Sequence, residues 1–196
     1  SWHQCLMRMI AGDINGTWEI FDANCAPGTS TSPAINVMSD GTALLWRAGL
    51  AGYDPTTARW QKLREYGEQT FPKPMVFIDA HGGLLYAALG DQAGLQRHID
   101  LVHELAEKGR LPAGTVGATL TEAFGAYANG DWSKTISTLE PVLDEVVRIG
   151  GSRAQRDLIN NTLLAAYIKD GRPEAAHAMV EQMTDRSPSV PVAGLN

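Results

Sequence analysis

Five glycines at nearly constant spacing set the strongest constraint on what this chain can fold into. They lie at positions 12, 52, 90, 130 and 171, so the intervals between them are 40, 38, 40 and 41 residues. Each glycine follows an apolar helical segment and precedes a second amphipathic segment. Glycine ends a helix cleanly because it adopts the left-handed conformation without the strain that a Cβ atom causes. The pattern therefore predicts five helical hairpins, each with its bend at one glycine.

The hydrophobic pattern between the glycines is helical as well. Apolar residues recur at steps of three and four, and the clearest stripe consists of Trp132, Ile136, Leu139, Leu143 and Val146. β-branched residues rarely alternate with polar ones, so strand signals are weak. We therefore expect an all-α fold, namely an α-solenoid or tetratricopeptide-like superhelix of about five helix pairs with a period of about 40 residues.

The expected boundaries follow from the glycines, the prolines and the capping residues. First helices are predicted over residues 2–11, 42–51, 76–89, 113–129 and 153–170, and second helices over 14–24, 55–67, 92–108, 132–149 and 173–186. Residues 1–186 would form a single repeat domain, and 187–196 an irregular tail. Ser152 followed by Gln155 has the spacing of a capping box and places the start of the last first helix at 153. Pro141 is expected to kink its helix, because proline removes a backbone hydrogen bond.

Composition argues against several classes of partner. The chain has 16 Lys and Arg against 22 Asp and Glu, a net charge of −6, so we expect no nucleic-acid partner. The longest uncharged stretch, 23–39, is rich in Pro, Ser, Thr and Asn, and we expect no membrane span. Cys5 and Cys25 are too few for a disulfide scaffold and should stay reduced, although they could meet across the first helix pair. With no signal peptide visible, a cytoplasmic location is expected.

Several segments resemble one family of helical-repeat proteins. The most specific segment is 148–157, Arg-Ile-Gly-Gly-Ser-Arg-Ala-Gln-Arg-Asp, followed by Asn-Thr-Leu-Leu at 161–164. Together they resemble the C-terminal part of the tetratricopeptide repeat protein 38 family. Further similar positions are Ser39-Asp40, Leu44-Leu45-Trp46-Arg47, Gly52, Arg59-Trp60, Trp2-His3 and Asp79-Ala80-His81.

The resemblance covers most of this chain but only the C-terminal half of a typical family member. Members carry further helical repeats upstream, so the resemblance implies that 1–186 belongs to a longer solenoid. It also implies a tetratricopeptide-like superhelix. It brings no settled activity or catalytic residue, and it leaves the function open.

Two histidines occupy equivalent positions in the predicted repeats. His3 and His81 each lie nine residues before their turn glycine, on first helices, which line the concave face of such solenoids. With Asp40 and Asp79 they could form a polar cluster that binds a metal or works as acid and base. Alternatively, each histidine is a hydrogen-bonded core residue. Joint ligation of one metal is doubtful, because a whole repeat lies between them.

Charged residues on the predicted helices 153–170 and 42–51 are further candidate binding groups. Arg153, Arg156 and Asp157 lie in the first turns of the last first helix, where arginines and free backbone N–H groups could bind an anion or a carboxylate. A capping and salt-bridge network is the alternative, and we favour it. Arg47, next to Trp46, could line the groove or pair with an aspartate.

These patterns favour a non-catalytic helical-repeat module that binds a protein, peptide or neighbouring subunit through its concave groove. The alternative is a small-molecule or enzymatic site in the groove, built from His3, Asp40, Arg47, Asp79 and His81. No motif for a metal, a nucleotide or a hydrolase is present, so we expect no catalytic residue, metal or cofactor.

The first hairpin provides a second argument for a partner. With no repeat before it, this hairpin would leave Trp2, Leu6 and Ile10 partly uncovered. Upstream repeats, a second subunit or another copy of the chain should cover them. The chain alone is therefore expected to self-associate.

Overall fold

The computed structural model describes residues 1–71, 76–183, 188 and 190–195, and for 76–79 it describes the backbone only. Every regular element within this part of the chain is helical, which confirms the all-α prediction. The helices are α1 (Trp2–Ile10), α2 (Ile14–Asn24), α3 (Ala34–Leu50), α4 (Thr57–Thr70), α5 (Val76–Ala88), α6 (Gln92–Glu107), α7 (Val116–Ala128), α8 (Trp132–Leu139), α9 (Arg153–Lys169) and α10 (Pro173–Gln182). A 3₁₀ segment, Glu140–Ile149, follows α8.

All five predicted glycines form the bends between paired helices. Their φ angles lie between 67° and 88°, in the left-handed region. In each bend the amide of the residue after the glycine donates a hydrogen bond to the carbonyl oxygen five residues earlier, at 2.8–3.0 Å. For example, Asp13 N–H donates to the carbonyl of Arg8. This is the Schellman pattern of helix termination, and its repetition confirms the predicted bends.

Several predicted boundaries are wrong by two residues or more. Helix α3 begins at Ala34, eight residues before the predicted start, because Val37 and Met38 in its first turns are buried in the core. Gly41 is needed there, since a Cβ atom would lie 2.8 Å from Leu63. Helix α4 covers Thr57–Thr70 instead of 55–67. Helix α7 begins at Val116 instead of 113, and α10 ends at Gln182 instead of 186.

Pro141 changes the type of helix. The α-helical hydrogen bonding of α8 ends at Leu139, and the chain continues as the 3₁₀ segment with Pro141 in its first turn. Proline cannot donate the hydrogen bond that a further α-helical turn requires. The sequence predicted one kinked helix over 132–149, whereas in the structure α8 ends after eight residues and the chain continues as the 3₁₀ segment.

The first helices pack in the order α1, α3, α5, α7, and each also packs on its own second helix. Helix α9 contacts both α7 and α3, so the row of first helices curves round until its fifth member meets its second. Asp40 in α3 lies level with Gln155 in α9, and Trp46 lies level with Thr162, so these two helices run parallel. The segment 190–195 closes one end, where Ala193 N–H donates to the carbonyl of Leu50 at 2.9 Å.

The first hairpin is partly uncovered, as predicted, but not at every position. Ile10 is exposed and Leu6 is half-buried, whereas Trp2 is buried, which corrects the prediction for that residue. Cys5 and Cys25 meet across this hairpin as free thiols, with their Sγ atoms 4.0 Å apart. The hydrogen bond between them lowers the pKa of Cys25 to about 7 and, together with burial, raises that of Cys5.

Candidate functional site

The residues predicted to form a site lie at two heights along the first helices. His3, Asp40, Arg47 and Asp157 surround the N-terminal half of α9, and Trp46 lies further along, near the C-terminal ends of α3 and α7. The side chain of Asp79 lies outside the described residues.

Arg47 is the most deeply buried charged residue in the described chain. Its side chain has no exposed surface, and its guanidinium donates hydrogen bonds to the carbonyl oxygens of Ala43 and Ala154. The Nε atom has no hydrogen-bond partner among the described residues, and Cζ lies 5.8 Å from the centroid of the Trp2 ring. Arg47 therefore joins α1, α3 and α9 from within the core and presents no surface to a ligand.

Burial is the main cause of the pKa shifts of Arg47 and Asp40. Loss of water lowers the pKa of Arg47 to about 10, although the carboxylates of Asp157 and Asp40 act in the opposite direction. Burial raises the pKa of Asp40, which the hydrogen bond from Gln155 Nε2 at 3.0 Å and the positive charges of His3 and Arg47 partly oppose. The structure thus brings four of the predicted residues into one electrostatic group.

The two equivalent histidines have different environments. His3 in α1 is exposed, and its ring lies edge-on to Trp2 at 5.0 Å, whereas His81 in α5 is only 3% exposed. The difference arises because α5 packs between α3 and α7, while α1 stands at the end of the row. Within the described part of the chain, no three or more His, Cys, Asp or Glu side chains are grouped to hold a metal ion.

The first turn of α9 is organised mainly by its own caps. Ser152 and Gln155 form the predicted capping box, with Ser152 N–H donating to Gln155 Oε1 at 2.8 Å. Arg156 donates to the carbonyl oxygen of Gly151, and Arg153 is exposed. Asp157 faces the positive charge of Arg47. These contacts favour the capping network over an anion site for Arg156 and Asp157.

An aromatic pocket lies where the C-terminal ends of α3, α5, α7 and α9 meet. Its volume is about 420 Å³, and its aromatic walls are Trp46, Trp60, Tyr127 and Trp132. The rings of Trp46 and Tyr127 are 5.5 Å apart between centroids, and those of Tyr127 and Trp132 are 5.0 Å apart. Trp46 is held by the hydrogen bond from its Nε1 to Thr162 Oγ1 at 3.0 Å. Burial also raises the pKa of Tyr127, which keeps its hydroxyl protonated.

Among the described residues in the wall of this aromatic pocket, Lys169 is the single formally charged side chain. Its Nζ atom lies 5.2 Å from the centroid of the Trp132 ring, within the range of a cation–π interaction. Sequence reasoning selected Trp46 but missed Trp60, Trp132 and Lys169. Their distance from the turn glycines could have indicated that two of them lie at the same end of the helices. Trp132 follows Gly130 by two residues, and Lys169 precedes Gly171 by two.

Comparison with known proteins adds no family. No family model matches the chain, and a search of solved structures finds no significant match. None of the described helices has the length and apolar character needed to cross a bilayer.

Proposed function

We propose that the chain is a non-catalytic helical-repeat module, a tightly curved superhelix of the tetratricopeptide-like kind, that binds a protein, peptide or neighbouring subunit. The repeated glycine bends and the order of packing α1, α3, α5, α7 support the repeat architecture. The resemblance of segment 148–157 to the tetratricopeptide repeat protein 38 family supports the same proposal.

One observation supports a protein partner most directly. Helix α1 exposes Met7 and Ile10, with 69% and 58% of their surfaces accessible, and these residues lie one helical turn apart. Half-buried Leu6 lies beside them. Adjacent exposed apolar side chains on the end helix of a row provide a surface on which another helix can pack. We call Leu6, Met7 and Ile10 the α1 patch.

The inner face between α3 and α9 is less suited to a protein partner. Trp46 bonds to Thr162 there, Arg47 to Ala154, and Gln155 to Asp40. These contacts fill the part of the predicted groove where α9 returns to α3. The α1 patch therefore has the better access for a protein surface.

The alternative is a small-molecule or enzymatic site that uses His3, Asp40, Arg47, Asp79 and His81. The electrostatic group of His3, Asp40 and Arg47 favours it. The complete burial of Arg47 and the near-complete burial of His81 weigh against it. A metabolite that raises the melting temperature of the wild type but not of His3→Ala would support this alternative, and the same shift in both proteins would contradict it.

A second copy of the chain is the simplest neighbouring subunit that could dock on the α1 patch. Self-association of the purified chain therefore tests this form of the proposal. Light scattering over a concentration series should show a mass above that of the monomer, and the double variant Met7→Lys/Ile10→Lys should be monomeric. Val147→Lys is the matched control, since Val147 is equally exposed, at 61%, but lies in the 3₁₀ segment. A wild-type monomer at every concentration, or dissociation by Val147→Lys alone, would contradict docking of a second copy on the α1 patch.

A further inference from the structure

The aromatic pocket is a separate surface from the α1 patch, and its size suits a small molecule. Its volume of about 420 Å³ falls in the range typical of ligand sites. Three tryptophans and a tyrosine line the pocket, and the aliphatic lining residues come from the ends of α3, α5 and α7. Flat aromatic walls of this kind favour a flat aromatic ligand, because ring contacts stabilise beyond the area that they bury.

Gly49 keeps this space open. It lies in the last turn of α3, its φ angle is not in the left-handed region, and a Cβ atom at Gly49 would meet no atom within 4 Å. Gly41, in the same helix, would bring its Cβ into contact with Leu63. Glycine inside a helix costs about 0.5–1 kcal/mol relative to alanine. No packing or turn requirement offsets that cost at Gly49, but any larger side chain there would enter the pocket.

Lys169 gives the pocket its charge preference. Its ammonium group is exposed and forms no ion pair with a described carboxylate, and it rests on the Trp132 face at the rim. The helix ends deeper in the pocket carry partial negative charge, and two carbonyls at the end of α3 are already hydrogen-bonded. Gly49 O accepts from Gly52 N–H, and Leu50 O accepts from Ala193 N–H. Among the described wall residues, Lys169 alone carries a formal charge, and it lies at the rim.

We propose that the aromatic pocket binds a small aromatic carboxylate, with its ring among Trp46, Trp60, Tyr127 and Trp132 and its carboxylate on Lys169. This orientation turns the ring edge, the electropositive part of an aromatic ring, toward the helix ends. It places the anion against Lys169, where a charge-assisted hydrogen bond can form. No chemical change in the ligand is involved.

Indole-3-acetate is a suitable probe, compared with its neutral amide, indole-3-acetamide, and with the cation tryptamine. NMR spectra of the ¹⁵N-labelled chain resolve the indole N–H groups, of which the chain has five. Indole-3-acetate should shift the signals of Trp60 and Trp132 and leave those of Trp2 and Trp18 unchanged. The acid should bind more tightly than the amide, and the amide more tightly than tryptamine.

Two variants separate the roles of charge and space. Lys169→Met keeps the stem over Trp132, and it should weaken binding of the acid about tenfold without changing that of the amide. Gly49→Phe should abolish binding of both while the fold is retained, because its side chain enters open space. Gly49→Ala is the matched control and should bind as the wild type does.

Four results would overturn the proposal. The first is the absence of NMR shifts at Trp60 and Trp132 with millimolar indole-3-acetate, and the second is equal affinity of wild type and Lys169→Met for this acid. The third is tighter binding of tryptamine than of the acid, and the fourth is full binding of the acid by Gly49→Phe. The same ring-and-carboxylate chemistry occurs in a peptide with tryptophan beside glutamate. Binding of acetyl-Trp-Glu-amide without binding of the free acid would also overturn a small-molecule site.

Discussion

The indole Nε1 of Trp46 donates a hydrogen bond of 3.0 Å to Thr162 Oγ1, across 116 residues of chain. The hydroxyl of Thr162 in turn donates to the carbonyl oxygen of Leu158 at 2.8 Å. Both atoms of the long-range bond are buried. This bond ties α3 to α9 at the position where the row of first helices closes on itself.

Thr162→Val should therefore destabilise the fold. Valine keeps the shape of threonine but leaves the buried indole N–H of Trp46 without an acceptor, at a cost of about 1–3 kcal/mol. Urea unfolding measures this loss. Thr162→Ser is the control, because it keeps the hydroxyl and should be more stable than Thr162→Val. The reverse order would contradict the role given to the hydrogen bond.

Substitution of Arg47 separates packing from charge. Arg47→Met fills most of the same volume but leaves the carboxylates of Asp40 and Asp157 without their cation, so the variant should be about 3–5 kcal/mol less stable than wild type. Arg47→Ala also removes the charge but leaves a cavity, and it should be about 2–5 kcal/mol less stable than Arg47→Met. Chemical denaturation of both variants checks this. An Arg47→Met variant as stable as wild type would contradict a stabilising role for this charge.

Asp40 should make the protein less stable as the pH rises. Burial raises its pKa in the folded state above the ordinary value of 3.8, so the folded state holds this proton more tightly than the unfolded state does. The contribution of Asp40 is most favourable below 3.8, and it declines as the pH rises through the folded-state pKa. Asp40→Asn removes this dependence and should be more stable than wild type at neutral pH.

Asp91 provides a control of opposite sign. The hydrogen bond from Gly94 N–H lowers its pKa, so Asp91 stabilises the fold at neutral pH and loses that contribution on acidification. Urea midpoints at several pH values compare Asp40→Asn with Asp91→Asn. A neutral-pH loss in both variants would contradict the environment assigned to Asp40.

The glycines at bends and in helices should respond oppositely to alanine. Gly12 has a φ of 77° and open space around its Cβ position, so Gly12→Ala should cost about 1–2 kcal/mol from backbone strain alone. Gly49 has neither positive φ nor a close neighbour, and Gly49→Ala should gain roughly 0.5–1 kcal/mol. Thermal unfolding of the two variants gives the signs. Stabilisation by Gly12→Ala would contradict the left-handed bend.

The bends and the helical class were predictable because they depend on local chemistry. Gly130, for example, combines a helix stop with the N-cap Asp131 that starts α8, and both signals lie within two residues. The start of α3 at Ala34 was not predictable. The polar run Ser39-Asp40-Gly41 interrupts the apolar pattern, and the turns around it become helical through burial of Met38 and the close approach of Gly41 to Leu63.

The candidate site was predictable only in part. The repeat register placed Arg47 on a first helix but left Asp40 two residues before its predicted start, and it could not show that Arg47 would be buried in the core. That outcome depends on α9 returning to α3, which follows from the accumulated curvature of several hairpins. The aromatic pocket depends on the same return, because Lys169 in α9 and Trp46 in α3 meet only when the row closes.

The contact between α3 and α9 determines the closed arrangement of the first helices. Nuclear Overhauser effects from the Trp46 indole N–H proton measure it directly in solution. We predict cross-peaks from this proton to the side chain of Thr162, together with slow exchange of the proton with water. A Trp46 indole proton that exchanges rapidly and shows no cross-peak to Thr162 would contradict the closed arrangement.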